Sequence, residues 1–321
     1  MSEVRLAPLF GCLPDVAANL RIGGPLPTYR RLIEPATLWG ESGLVVDASN
    51  QPLVDAVWFE DQLRNCPDFR HSWRRFFPRR CAGTYFSVML YWCRGYYHWI
   101  CDVLPRVQAA LPQLPPETRF VVPDGLSEAE SESLQAIGIR PESCSVFRGK
   151  RPWRVERLVH VPPVAMTGDH TRESLMSLRE SVFRHTRFEP VSKTARRIYV
   201  ARRQGLERSV VNGAELLPAL QERGFEVVRC ENLSFADQVK LFREAEIIVG
   251  PHGGGFANLV WCEAGTKVFE IFGTSSVRRC YWSICNALGL RHYCAVAGEV
   301  GNLELRVDPS SFAAALDTVL A

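Results

Sequence analysis

The run EIIVGPHGGGFANLVWCEAGTKVFEIF, residues 246–272, constrains this chain more than any other stretch. Ile247, Ile248 and Val249 form a β-branched apolar run ended by Gly250 and Pro251. Val268, Phe269, Ile271 and Phe272 form a second run after the turn at Gly265. Continuous apolar runs of this length read as buried parallel strands. The six residues from Phe256 to Trp261 suffice for one helix between them, so the stretch is predicted as a βαβ unit. Gly253, Gly254 and Gly255 occupy its first turn. Without β-carbons there, backbone N–H groups can approach an anion, and the helix N-terminus adds partial positive charge. A diphosphate fits such a turn, although glycines also serve tight packing of helix on sheet. His252 stands at the carboxyl end of the first strand, where open α/β sheets bind ligands, and Asn258 follows on the helix. The spacing is not G-x-G-x-x-G, which disfavours a dinucleotide dehydrogenase.

Around this unit the second half alternates: strand 197–201, helix 214–221, strand 225–229, helix 235–243, then, after the unit, helix 281–288, strand 292–296 and an amphipathic helix 311–320. The pattern is that of a doubly wound parallel sheet. Arg202 leaves the first of these strands at its carboxyl end, and Arg208 returns after a glycine-containing loop that closes at Asn212. Two guanidinium groups so placed can clamp one diphosphate, and solvated loop arginines are the plainer reading. Glu270, near the end of the second strand of the unit, can accept hydrogen bonds from ribose hydroxyls or serve as a capping or ion-pairing carboxylate.

The first half gives a strand at 85–90 and a helix at 96–106 whose end Pro105 limits or kinks. His98 and Asp102, four apart, share one face of that helix, either as a base with its partner or as a brace. A strand at 119–123, a helix opening at Ser127 with an acidic first turn, a strand at 158–161 and a polar helix at 170–184 lead to a linker at 189–192. Residues 1–80 are punctuated by proline and glycine and carry no legible chemistry, and the cluster His71, Trp73, Arg74, Arg75, Phe76 and Phe77 reads as core aromatics with solvated arginines. His160, His170, His185 and His292 have no partner at metal-ligand spacing and read as packing or surface residues.

Three motifs together resemble glycosyltransferase family 61. Gly250, His252, Gly253, Gly255 and Asn258, followed by Glu270, match its most diagnostic run; His98, Trp99, Asp102, Leu104, Pro105 and Arg106 match a second; Arg202, Arg208 and Asn212 match a third, with Ala201 where the family has serine. The resemblance covers about residue 96 to the end and is to bacterial members that build capsular or exopolysaccharide. It implies an α/β, GT-B type fold, two Rossmann-like domains facing across a cleft, with an acceptor-side domain at 1–190 and a nucleotide-sugar-binding domain at 191–321 whose last helix can pack back on the first. It further implies an inverting, metal-independent hexosyl- or pentosyltransferase, taking a nucleotide-sugar donor, expected to be UDP-linked, to a saccharide or glycan hydroxyl. On this reading His98 and Asp102 are catalytic, with either one as the base. Arg202, Arg208, Asn212, His252, Gly253, Gly254, Gly255, Asn258 and Glu270 hold the donor. A nucleotide-sugar epimerase or a non-catalytic saccharide-binding protein on a similar scaffold are the alternatives.

Composition narrows the rest. With 321 residues, 46% of them hydrophobic, the chain can build two ordinary domains. A net charge of +3 is too mild for a nucleic-acid partner. No Asp-x-Asp occurs, so neither a metal nor a cofactor is expected. Eleven scattered cysteines without ligand spacing read as reduced, and no run has signal or membrane-span character, so a cytoplasmic place is expected, with peripheral membrane association left open.

Overall fold

The computed structural model describes residues 5–7, 30–40, 42–56, 76–186, 195–275 and 277–321. His71, Trp73, Arg74 and Arg75 of the aromatic cluster, the linker expected at 189–192, and Cys12 and Cys66 lie outside the described residues. The chain divides into two compact units, one of Gly23–Thr167 with Glu173–Arg187, the other of Met1–Ile22, Gly168–Arg172 and Phe188–Ala321. Among the described residues no helix is long and apolar enough to cross a membrane. Each unit is built on its own α/β sheet.

The first strand, β1 (Arg5–Ala7), pairs antiparallel in the sheet of the carboxyl-terminal unit. The other unit holds β2 (Arg31–Ile33), β3 (Ala36–Trp39), β4 (Leu44–Val46), β5 (Arg79–Ser87), β6 (Arg119–Pro123), β7 (Cys144–Phe147) and β8 (Trp153–His160) in one sheet, ordered β4-β3-β8-β5-β6-β7 with β2 also on β8. Strands β8, β5, β6 and β7 run parallel, and β2 and β3 add antiparallel to β8. Strand β5 begins six residues before the strand expected at 85–90 and ends at Ser87. A register shift between Cys81 and Thr84 and a positive φ at Gly83 mark a bulge there, which breaks the alternation that would have shown the strand's start.

The helix after Gly95 is not ended by Pro105. It begins as an α turn over Tyr96–His98, widens to a π turn over Trp99–Val103, and resumes as α1 (Leu104–Ala110). The Leu104 N–H reaches back to the Trp99 carbonyl, and Pro105, which has no N–H to donate, falls in the first turn of the new segment. The wide turn thus absorbs the proline without a break. Beyond β6, α2 (Glu128–Ala136) starts in a capping box of Ser127 and Glu130, as its sequence signal predicts. The polar helix is α3 (Arg172–Thr186).

In the carboxyl-terminal unit β9 (Arg196–Val200), α4 (Gly213–Glu222), β10 (Phe225–Val228), α5 (Phe235–Arg243), β11 (Ala245–Pro251), β12 (Lys267–Gly273), α6 (Cys280–Leu288), β13 (Arg291–Val300), β14 (Glu304–Arg306) and α7 (Pro309–Leu320) follow in turn. The sheet order is β1-β13-β12-β11-β9-β10, with β14 antiparallel on β13, and β9 to β13 are all parallel. Tyr199, Leu216, Leu220, Ile247, Val249 and Phe269 share a buried core with Phe312, Leu316 and Val319 of α7. The segment after the glycines is a 3₁₀ helix, Gly254–Trp261, buried from Phe256 onward. A 3₁₀ helix rises about 2.0 Å per residue against about 1.5 Å for an α-helix, so few residues travel further back along the sheet.

Candidate active site

Counting the parallel strands of this unit in chain order, the sheet reads 2-1-3-4-5, so the winding reverses between β9 and β11. A crevice opens outside the carboxyl ends of the strands at such a point. The register Ile248 to Ile198 and Val249 to Tyr199 sets Gly250 beside Val200, and the loops leaving both strands start side by side. A β-carbon on Gly250 would lie 2.6 Å from the Val200 carbonyl oxygen, and one on Gly255 would lie 2.8 Å from Val200 Cγ1. These two glycines serve strand and helix packing. Gly253 differs, because a β-carbon there would overlap Arg202 Nη1. The bare backbone of the turn leaves room for that guanidinium, and Gly254 beside it stays partly exposed.

Arg208 adopts a left-handed backbone at φ 63°, held by its N–H to the Leu303 carbonyl at 2.8 Å. Ser209 ties the same loop to β14 through Leu305 N–H at 2.8 Å and Glu304 Oε1 at 2.9 Å. The Nε atoms of Arg202 and Arg208 are both buried without a hydrogen-bond partner among the described residues. Neither guanidinium forms an ion pair among the described residues, in a chain where Arg196, Arg223 and Arg279 all do. Burial, and then the neighbouring Arg208 charge, lower the Arg202 pKa from the usual arginine value. Two partly buried like charges with no ion pair among the described residues have the chemistry to receive an oxyanion.

Beside them, His252 Nδ1 meets Glu270 Oε1 at 2.5 Å, and His292 Nε2 meets Glu270 Oε2 at 2.8 Å. Glu270 is fully buried and both histidines nearly so. Burial pushes the Glu270 carboxyl up, but the hydrogen bonds from the two rings outweigh it and hold the group below its ordinary value. The His252 ring stacks on Phe272 at 5.3 Å and leans on Tyr281 at 5.0 Å, and the Tyr281 hydroxyl donates to the Gly253 carbonyl at 2.6 Å. Both Glu270 oxygens therefore face imidazoles. The sequence reading left His292 as a packing residue; the parallel register, which sets His292 against Val268, brings it to the face of β12 that carries Glu270.

Asn212 and Asn258 point inward. Asn212 accepts from Val307 N–H and donates to the Val307 carbonyl at 2.7 Å, pinning the end of the arginine loop to the start of α7. Asn258, fully buried, donates to Gln238 Oε1 at 2.7 Å and accepts from Trp261 Nε1, fastening the 3₁₀ helix to α5.

In the other unit, His98 Nδ1 lies 2.7 Å from Asp102 Oδ2, and Thr167 Oγ1 donates to the same oxygen at 2.8 Å. The Asp102 side chain is 4% exposed and that of His98 24%, so the carboxylate sits behind the ring. Trp92 and Tyr97 flank the imidazole at 5.2 and 5.0 Å, and Gly95 lets it approach: a β-carbon there would be 3.3 Å from His98 Cδ2. Arg106 of the same motif is a brace. It is buried, with Nε on the Val161 carbonyl, Nη1 on the Ser87 carbonyl and its guanidinium over the Phe86 ring, and burial lowers its pKa to about 10. Thr167 has no spacing that ties it to the pair in sequence, and only the fold brings it there.

A family model described as Glycosyltransferase 61 matches residues 96–269, just over half of the chain. The EGF domain-specific O-linked N-acetylglucosamine transferase of Drosophila melanogaster is 29% identical over 108 residues, 33% of this chain and 20% of the relative. The proteins of that name from Bos taurus and Mus musculus are each 29% identical over 102 residues, 30% of this chain and 19% of theirs. The match thus spans about a fifth of the length of these relatives.

Proposed function

Because the chain belongs to the glycosyltransferase 61 family, we propose that it transfers a sugar from a nucleotide-sugar donor to an acceptor hydroxyl, with inversion, as a step in building a polysaccharide or other glycan. The observation that carries this reading is the pair Arg202 and Arg208, buried at Nε without partners beside the glycine turn at the switch point. The diphosphate of the donor is the anion that fits there, gripped by both guanidinium groups, by His252 and by the backbone of residues 253–255. As the glycosidic bond to the donor breaks, charge develops on the leaving diphosphate, and these groups are already in place to meet it.

The acceptor proton goes to His98. With Nδ1–H directed to Asp102, Nε2 is the basic nitrogen, and the partly exposed ring rather than the covered carboxylate is what an acceptor can reach. The division of labour of the GT-B class, donor on the carboxyl-terminal unit and acceptor on the other, is part of this reading. So is a cytoplasmic place.

A thermal-shift panel of UDP-, GDP-, dTDP- and CMP-sugars, with UDP-N-acetylglucosamine included because of the relatives' names, tests the donor half. A bound donor at about a hundred times its Kd adds roughly 2.7 kcal/mol of stability. The expected result is stabilisation by one nucleotide class, followed by release of free nucleoside diphosphate only when acceptor is present. Failure of the whole panel, or release of an isomerised donor without free diphosphate, would overturn the proposal.

A further inference from the structure

The cluster of Glu270 with two histidines lies behind the turn that the diphosphate is proposed to occupy, and its hydrogen-bond polarity has a chemical consequence. An ionised carboxylate only accepts, so His252 Nδ1, at 2.5 Å from Glu270, carries a hydrogen. In the neutral ring Nε2 then holds a lone pair, and it has no partner among the described residues. A phosphate oxygen is also an acceptor, so a neutral His252 repels it. Only the ring protonated at both nitrogens can bridge Glu270 on one side and a phosphate on the other.

The groups packed around the ring decide when that second proton arrives. From the loop after β9, Arg202 lies against Gly253, the next residue, with Arg208 near it, and both cations oppose a further positive charge. From α6, Tyr281 spends its hydroxyl proton on the Gly253 carbonyl, and burial keeps the Cys285 thiol neutral. From β12 and β13, Glu270 favours the charge while His292 shares the same carboxylate. An arriving diphosphate cancels the arginines and adds negative charge, which tips the balance.

We propose that binding of the nucleoside diphosphate draws a proton from solvent onto His252 Nε2, with Glu270 as the buried counter-ion and His292 as the positioning residue that donates to its second oxygen. The inference rests on the diphosphate site proposed above and gives it a pH dependence: affinity falls as pH rises.

Calorimetric titration of the full chain with UDP, and in parallel GDP, CDP and dTDP, at about pH 8 in two buffers of different ionisation enthalpy reads the proton count. A terminal phosphate with a second pKa near 6 is already ionised there. Wild type is expected to show net proton uptake, and His252→Gln to lose it together with about tenfold or more in affinity. His292→Gln, which keeps an N–H donor, should retain uptake, whereas His292→Leu should bind several-fold more weakly. Binding with equal heats in both buffers, or uptake that survives in His252→Gln, overturns the coupling alone. No binding of any diphosphate overturns the site as well. A folded His292→Leu protein with wild-type affinity and proton count removes His292 from its role, and if that variant does not fold, the His252→Gln comparison still decides.

Discussion

Gly250, Gly253 and Gly255 are alike as letters in the sequence and different as positions. Gly250→Ala must push a methyl group against the Val200 backbone oxygen, which cannot move without parting β9 from β11. It is expected to destabilise the fold by about 1–3 kcal/mol, seen as a lower Tm. Gly253→Ala meets only the tip of Arg202, which can swing away. It should melt near wild type yet weaken nucleoside diphosphate binding roughly ten- to hundredfold, the loss expected of Arg202→Ala itself from a charge-assisted contact of about 1.5–3 kcal/mol. The double variant should add little to either, because both remove the same contact. Calorimetry and melting curves on the wild type and the four variants check this, and equal Tm losses for the two glycine variants would contradict it. The sequence marks the turn and both arginines because strand ends and glycines are local signals. It could not show that Glu270 is enclosed by His252 and His292, since that depends on how β12 registers against β13.

The element that most shapes the proposed chemistry is the helix from Tyr96 to Ala110 with its π turn at Trp99–Val103. Wide turns of this kind are common at functional sites, and here the turn carries Asp102, with His98 one residue before it. His98→Ala is expected to cut turnover by roughly 10²–10⁴-fold with diphosphate affinity unchanged. Asp102→Asn should cost less than that, and Thr167→Val, which removes one donor to Asp102, less again. Single-turnover rates beside diphosphate affinities separate these outcomes, and an Asp102→Asn enzyme as impaired as His98→Ala would move the role of base to the carboxylate. Gly95 made the start of the helix legible, but Pro105 pointed to an end near 106 where the helix runs on to Ala110, and a single widened turn leaves no periodic trace. Strand β14, three residues long, was likewise invisible in the sequence, although it anchors the loop that presents Arg208.

At the scale of the whole molecule, two α/β sheets follow from the alternation of apolar runs and helical stretches, and that much was legible. The order β10-β9-β11 and the antiparallel additions to the other sheet were not, because crossovers and short edge strands are settled by tertiary pairing. Absence of Asp-x-Asp together with two arginines that form no ion pair among the described residues leads to an expectation for the proposed reaction: turnover should survive EDTA and gain nothing from magnesium or manganese. Lost activity in chelator that returns with added metal would contradict it.

The pair of Arg202 and Arg208, unpaired among the described residues, also bears on how the proposed catalytic cycle ends. A nucleoside diphosphate freed of its sugar carries an additional negative charge compared with the donor, so a cradle built from fixed cations grips the spent leaving group harder than the fresh substrate. On the proposed reading, departure of that leaving group rather than bond breaking paces the cycle. Any oxyanion abundant in the surroundings, inorganic phosphate included, then competes for the same seat.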